Sequence, residues 1–334
     1  MNNLKPAVVR FAHPMAFSAF LSDVGAPTSG YYRRQGLPGL CKDPNALVPL
    51  RKAWGLFEDA AKRESSDVGW HVGQFCGDNN MNAGLLKKLE QATSLYRALY
   101  LLVQIVGVEA SHLQLGIIER SFDILLYTQY PGMREDPGYW ISQGYQLGVY
   151  NDLIRHFAGP RWYPPEIGIT APDVPASVRD LYPGSLVRVN QPFAHIAIPR
   201  SYLPSRLCSE HAISEAVNEL TIPTELSYRE LAARLLEPHL PQGYPNLRFA
   251  AELMETSPRS LSRRLSDCGT GYRLLVDEVR FRKSCALLSE MSRPISDIAW
   301  SVGFTDQANF TRFFRRMAGM GPLEFRKIEL RTLH

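Results

Sequence analysis

Between positions 15 and 110 apolar residues recur at spacings of three and four, the period of a helix with one buried face. The pattern predicts helices over 16–24, 47–62 and 83–107. The rhythm then changes. Leu113, Leu115 and Ile117 alternate with other residues, Glu119, Arg120 and Ser121 form a polar break, and Phe122, Ile124 and Leu126 alternate again, as in a hairpin of two half-buried strands. Helical spacing returns over 139–157, with Ile141, Tyr145, Gly148, Val149 and Asp152 near one face. A stretch rich in Pro, Gly and Asp follows over 159–183, holding one strand-like run at 166–170, and short strands are predicted at 186–189 and 193–198. The first 200 residues therefore read as an α+β domain. A further helical stretch at 210–220 and the break at 221–224 place a domain boundary near 225, dividing the chain into 1–224 and 225–334.

Beyond that boundary the pattern is all-α and repeats itself. Ala251, Met254, Glu255 and Thr256 align with Ala299, Val302, Gly303 and Phe304 at an offset of 48. Ser257, Leu261, Arg263 and Leu265 align with Asp306, Phe310, Arg312 and Phe314 at an offset of 49, so the one-residue slip falls where a turn would sit. Each copy has a short helix with a small inner residue (Ala251, Ala299), a turn, an N-cap candidate and a second helix. The caps are Ser257 and Asp306, with Thr305 as an alternative to Asp306. Leu261 and Leu265, like Phe310 and Phe314, stand four apart and face inward. This leaves Arg259, Ser262 and Arg263 in the first copy, and Gln307, Asn309, Thr311 and Arg312 in the second, to face out.

A small residue at the crossing lets two helices approach closely, the mechanical requirement of a helix-turn-helix. An outward face of Arg, Gln and Asn suits base edges in a major groove, because Arg pairs bidentately with guanine and Gln or Asn with adenine. One such unit is hard to tell from a plain helical hairpin; two in one chain, at about 247–266 and 295–316, favour double-stranded DNA as the partner. Between them Tyr272, Leu275, Val276, Val279, Ala286 and Leu287 form a stripe that predicts a linker helix over 271–290. A rigid linker would set two recognition helices about 34 Å apart, one turn of DNA.

Charge agrees with this reading. The chain carries a formal +4, yet 227–334 alone has 17 Lys and Arg against 12 Asp and Glu, leaving −1 for everything before. Basic surfaces attract polyanions and speed their capture. Composition is otherwise ordinary, at 45% hydrophobic and 21% charged, and no run approaches the eighteen or so apolar residues of a membrane helix. Lys5, Pro6, Arg10, His13 and Pro14 interrupt the N-terminal apolar residues, unlike an export signal, so the expected location is the cytoplasm. Cys41, Cys76, Cys208, Cys268 and Cys285 are scattered without a CxxC pair or zinc-site spacing; they read as reduced thiols, with no metal or cofactor expected.

The stretch "PISDIAWSVGFTDQANFTRFFRRMAGMGPLEFR" resembles the signature of the AraC/XylS transcription regulators, and "SPRSLSRRLSDCGTGYRLLVDEVR" resembles their first helix-turn-helix and linker. The likeness covers roughly 227–326. It implies base contacts by Arg259, Ser262, Arg263, Gln307, Asn309, Thr311 and Arg312, and contact with RNA polymerase. One position departs. The family carries Gly in the first turn, where this chain has Glu255, while Gly303 keeps it in the second. If the position takes a positive φ, Glu255 is strained by about 1 kcal/mol and the first unit is the looser. Arg280, on the linker, reads better as an internal ion-pair partner than as a DNA contact, and Arg282 and Lys283 are the better placed to meet phosphate.

"FSAFLSDVGAP", "CKDPNALVPL" and the helix–hairpin–helix order after them resemble the arabinose-binding-like N-terminal domain of one branch of the family. That likeness implies a domain that senses a small-molecule effector and holds a homodimer. Tyr127, Trp140, Tyr145, Arg188, Phe193 and His195 are the candidate lining residues, since aromatics with one or two polar anchors suit a small ligand and a carboxylate would need a cation such as Arg188; core packing is the competing role for each. Two other classes remain. No GxSxG, HExxH, P-loop or GxGxxG is present, although an enzyme site built from distant residues would leave no such trace. An architectural DNA binder without a ligand would need little before residue 225.

Overall fold

The structure is a computed structural model in which residues 5–78, 89–90, 92–203, 226–290 and 292–332 are described. In chain order they form β1 (Val8–Arg10), α1 (Ala12–Asp23), α2 (Thr28–Gln35), β2 (Leu47–Pro49), α3 (Leu50–Arg63), α4 (Val68–Asp78), α5 (Leu95–Glu109), β3 (Gln114–Glu119), β4 (Asp123–Gln129) and α6 (Tyr139–Ala158). Then come β5 (Glu166–Gly168), α7 (Ala176–Leu181), β6 (Leu186–Arg188), β7 (Ala194–Pro199), α8 (Tyr228–Leu236), α9 (Leu247–Leu253), α10 (Pro258–Asp267), α11 (Tyr272–Leu288), α12 (Ile295–Ser301), α13 (Gln307–Ala318) and α14 (Pro322–Thr332). The chain resolves into two compact units. One comprises Ala7–Leu37 and 50–203; the other is the C-terminal segment together with Lys5, Pro6 and Pro38–Pro49. The helix expected at 210–220, and the boundary itself, lie outside the described residues.

The first unit is built around α6, which is buried over most of its length. Such a helix brings polar groups into the interior, and these need partners. Gln146 accepts from the Thr128 hydroxyl at 3.2 Å and donates to the Tyr130 hydroxyl at 3.2 Å. The Gln143 carbonyl accepts from the Thr170 hydroxyl at 3.0 Å. On its other side α6 meets α4 at unusually close range. Gly73 faces Gly148, Gly69 faces the Ile141 backbone and Gly144 faces Trp70; a Cβ at Gly148 would stand 2.7 Å from the Gly73 Cα, and one at Gly144 2.7 Å from the Trp70 indole. Glycine is used here for backbone approach rather than flexibility.

Five strands form a sheet in the order β3-β4-β7-β5-β6, antiparallel except for the β5–β6 pair. The expected hairpin is present, with Ile117 opposite Leu126. Side chains alternate between faces along a strand. Thr128 reaches toward α6, whereas Tyr127 and its cross-strand partner His195 belong to the opposite face. There Gly116 and Gly168 make room, since a Cβ at Gly116 would meet the Tyr127 ring at 2.6 Å and one at Gly168 the His195 ring at 2.0 Å.

Several boundaries differ from expectation. α1 begins at Ala12 because Pro14 sits in its first turn, where a missing N–H costs nothing. The helix expected from 47 starts at Leu50, its first three residues being β2. α2 and α4 were not expected, the one because it is polar and the other because its glycines weaken a helical pattern.

The second unit is helical. Ser227 caps α8 by accepting from the Glu230 N–H at 3.1 Å, and Leu231, Leu235 and Leu236 line its buried face. β2, from the 38–49 segment, packs against this helix.

The glycine crossing gives a directional test. Gly148→Ala is expected to destabilise the protein by about 2 kcal/mol despite its better helix propensity, because the new carbon meets backbone that cannot rotate away. Gly107→Ala, in a helix with nothing within 4 Å of the added carbon, is expected to stabilise by about 0.5 kcal/mol. Urea unfolding monitored by circular dichroism separates the two signs.

Candidate nucleic-acid interface

The helix pairs α9/α10 and α12/α13 are built alike. In each, a short polar side chain caps the second helix: the Ser257 hydroxyl accepts from the Ser260 N–H at 3.2 Å, and the Asp306 carboxylate from the Asn309 N–H at 2.7 Å. Each second helix buries one stripe, Leu261 and Leu265 in α10, and Phe310, Phe313 and Phe314 in α13. The α13 stripe joins a core with Leu288, Ile295, Ile298, Ala299 and Val302. The inner residues Ala251 and Ala299 are both buried, each with 1% exposure or less.

The turns are alike as well. Glu255 has φ +47° and Gly303 has φ +81°. Both positions are left-handed, where an L side chain is strained and glycine is not. The second turn is also sterically closed: a Cβ at 303 would lie 2.4 Å from the Leu240 carbonyl oxygen and 2.9 Å from that of Gly243. Arg280 holds it. Its guanidinium donates to the Gly303 carbonyl at 2.9 Å and lies over the rings of Tyr244 and Phe304, 4.8 Å and 4.5 Å from their centroids. Arg280 is thus internal, as expected, but its hydrogen-bond partner is a backbone carbonyl and its neighbours are aromatic faces rather than a carboxylate. Arg282 and Lys283 do not project freely from α11. Arg282 pairs with the Glu237 carboxylate and Lys283 donates to the Glu237 carbonyl, each at 3.3 Å.

Arg259, Ser262, Arg263, Gln307, Asn309 and Arg312 are exposed, and Thr311 is half-buried. α13 presents its polar residues already linked to one another. The Asn309 amide donates to Asp306 and its carbonyl accepts from Arg312. The Thr311 hydroxyl donates to the Gln307 carbonyl at 2.8 Å, so its proton is spent on its own helix. Arg316 pairs with Asp277 on α11 at 2.9 Å, and the Arg264 guanidinium lies over the Tyr228 ring, at 5.2 Å from its centroid. Both cations serve packing within the unit.

In the first unit a cavity of about 90 Å³ opens between α1, α3, α5 and α6. Of the six residues considered for a ligand, only Tyr145 lines it. Trp140 is 46% exposed. Tyr127, Phe193, His195 and Arg188 gather on the far face of the sheet around Glu166, which pairs with Arg188 at 2.7 Å, Arg120 at 3.0 Å and His195 at 3.1 Å. Strand alternation is the reason, because Tyr127 and His195 must face away from the side where Thr128 meets α6. The cavity instead takes His13, Glu109, Tyr130, Gln146 and Tyr150, none of which spacing singled out. Their signal is tertiary. Among the described residues no group of three or more His, Cys, Asp or Glu could hold a metal ion. No described helix is long and apolar enough to cross a membrane.

Residues 250–328 match the family model described as a helix-turn-helix domain. Over 151 residues the chain is 31% identical to the ornithine utilization regulator of Pseudomonas aeruginosa, a match covering 43% of this chain and 44% of that protein. It is 22% identical to the HTH-type transcriptional regulator VirS of Mycobacterium tuberculosis over 96% of both. The crystal structure of the transcriptional regulator CdpR from Pseudomonas aeruginosa aligns over 90% of this chain and 96% of its own at 16% identity, with a TM-score of 0.40. The chain thus spans less than half of the ornithine utilization regulator. Its C-terminal segment is a helix-turn-helix domain.

Two predictions follow from this geometry. Glu255→Gly relieves a left-handed side chain and is expected to stabilise the C-terminal unit by about 0.5–1 kcal/mol, whereas Gly303→Ala is expected to cost about 3 kcal/mol or more, both read from thermal unfolding. The Glu166 cluster adds a pH dependence. Burial alone would raise its carboxyl, but the hydrogen bonds from Arg188, Arg120 and His195 outweigh burial and hold it at about 2. A lowered folded-state value means stability present above the ordinary glutamate range and lost as pH falls from about 4.5 toward 2. Glu166→Gln is expected to flatten that acid limb in melts recorded across pH.

Proposed function

We propose that this chain is a sequence-specific DNA-binding transcription regulator of the AraC/XylS type, in which α9/α10 and α12/α13 are two helix-turn-helix units joined by the linker helix α11. One observation carries the reading: the same capped helix pair, turning through a positive-φ residue, occurs twice, and each second helix exposes Arg and short polar residues. Such a face can read base edges in adjacent major-groove segments. Arg259, Ser262 and Arg263 are assigned to the first half-site, and Gln307, Asn309, Thr311 and Arg312 to the second. Arg312 arrives already oriented by Asn309, which favours a planar guanidinium presented edge-on.

The first unit is assigned the arabinose-binding-like role. It takes a small-molecule effector and supports a homodimer, and the liganded state changes how the DNA-binding unit meets its operator and RNA polymerase. The cavity beside Tyr145 supports the effector role. The chain acts in the cytoplasm and is not an enzyme in this reading.

The test is selection of genomic fragments by the purified protein, then gel shift on the best fragment and on a scrambled copy at two salt concentrations. Tight binding to the first alone is expected; equal binding to both would make the protein a non-specific architectural binder. Arg263→Ala and Arg312→Ala are each expected to weaken binding to the selected fragment by about 1–3 kcal/mol while leaving the scrambled copy nearly unchanged. Equal losses on both would reassign them to phosphate.

A further inference from the structure

We infer that the α1/α3/α5/α6 cavity takes a small, uncharged, mainly aliphatic molecule bearing one hydrogen-bonding group, and that anionic effectors are excluded from it. The inference rests on the reading of this unit as an effector module. Most of the cavity wall is hydrocarbon, including Ala16, Leu50, Phe57, Leu102 and Val106. At about 90 Å³ it is smaller than the roughly 150 Å³ apolar cavity that admits benzene, so its occupant has only a few heavy atoms.

The charges around it decide the ligand's charge. Among the described residues no Lys or Arg lines the cavity, and a carboxylate taken out of water without a cation is strongly disfavoured. Glu109, a carboxylate in the described wall, offers an anion no attraction. Nor does Glu109 await a cation. Its two oxygens are shared between Arg10 at 3.3 Å and His13 at 3.4 Å. The neutral polar groups are tied together as well, Gln146 by Thr128 and Tyr130. At the His13 end, Nδ1 meets the Tyr145 hydroxyl at 2.9 Å, while Nε2, turned toward Glu109 at 3.4 Å, makes no shorter hydrogen bond. A single hydroxyl or carbonyl on the ligand has its place there, with hydrocarbon against the remaining wall. Arg188, the cation a carboxylate ligand would have needed, is held by Glu166 on the other face of the sheet.

Three probes of equal chain length and different charge test the inference on the intact 334-residue chain: n-butanol, n-butylamine and butyrate, followed by saturation-transfer NMR. Saturable n-butanol binding is expected with a Kd in the millimolar range, as befits about five heavy atoms, with butyrate and n-butylamine about tenfold weaker or more. Ala16→Leu, which fills the cavity, is expected to abolish the n-butanol signal. Leu102→Ala, which enlarges it, is expected to shift preference toward n-hexanol. Butyrate binding as tightly as n-butanol would overturn the inference, as would n-butanol binding unaltered by both substitutions. If circular dichroism shows that one variant does not fold, the other decides. Gel shifts on the same samples keep the two readings apart: loss of sequence-specific DNA binding with n-butanol binding intact refutes the regulator and leaves the cavity assignment standing.

Discussion

A first side-chain carbon at position 303 would collide with the carbonyls of Leu240 and Gly243, and this steric limit governs how α12 can approach the 3-10 turn Glu237–Gln242. Because the turn must stay bare, it can press its backbone against that segment and hand its own carbonyl to Arg280. A buried guanidinium needs partners, and here it has a carbonyl and two aromatic faces. With the turn fixed, the cap at Asp306 and the Phe310/Phe313/Phe314 stripe leave α13 one orientation, and the outward residues follow from it. The first pair has the same cap and turn but a glutamate at the strained position. The two units are therefore alike in plan, and the first alone carries a side chain at the left-handed position of its turn.

Close backbone approach organises the N-terminal unit too. The glycine crossing draws α4 onto one side of α6, while its Gln143 and Gln146 make polar bonds to Thr170, Thr128 and Tyr130. The cavity lies along another edge of the same helix, against Tyr145, Gln146 and Val149. The sheet repeats the device on a smaller scale, with Gly116 and Gly168 seating the rings of Tyr127 and His195.

The parts of the molecule that sequence disclosed are those in which one period dominates. The hairpin around Arg120 shows alternation, and the helix pairs show themselves twice, so each copy checks the other down to its cap and its positive-φ turn. What stayed hidden depends on which surface a neighbour covers. Period two separates Tyr127 from Thr128 but does not say which of them faces a helix, so the aromatic cluster around Glu166 looked as suitable for a ligand as the true cavity wall. The same blindness applies to α11: its periodicity turns Arg282 and Lys283 outward, but gives no hint that Glu237 stands opposite them. α4 was missed because the glycines that make its packing possible also erase its helical signature.

The presence of Pro38–Pro49 in the C-terminal unit bears on how such a protein can be recombined. A unit assembled from two separated stretches of chain is not a cassette. Grafting everything after residue 225 onto a foreign domain would carry over both helix pairs and α11 but would strip α8 of the β2 strand that packs on it. In this architecture the C-terminal unit is complete only when a short stretch from between α2 and α3 is kept with it, so a cut made in one place cannot release it whole.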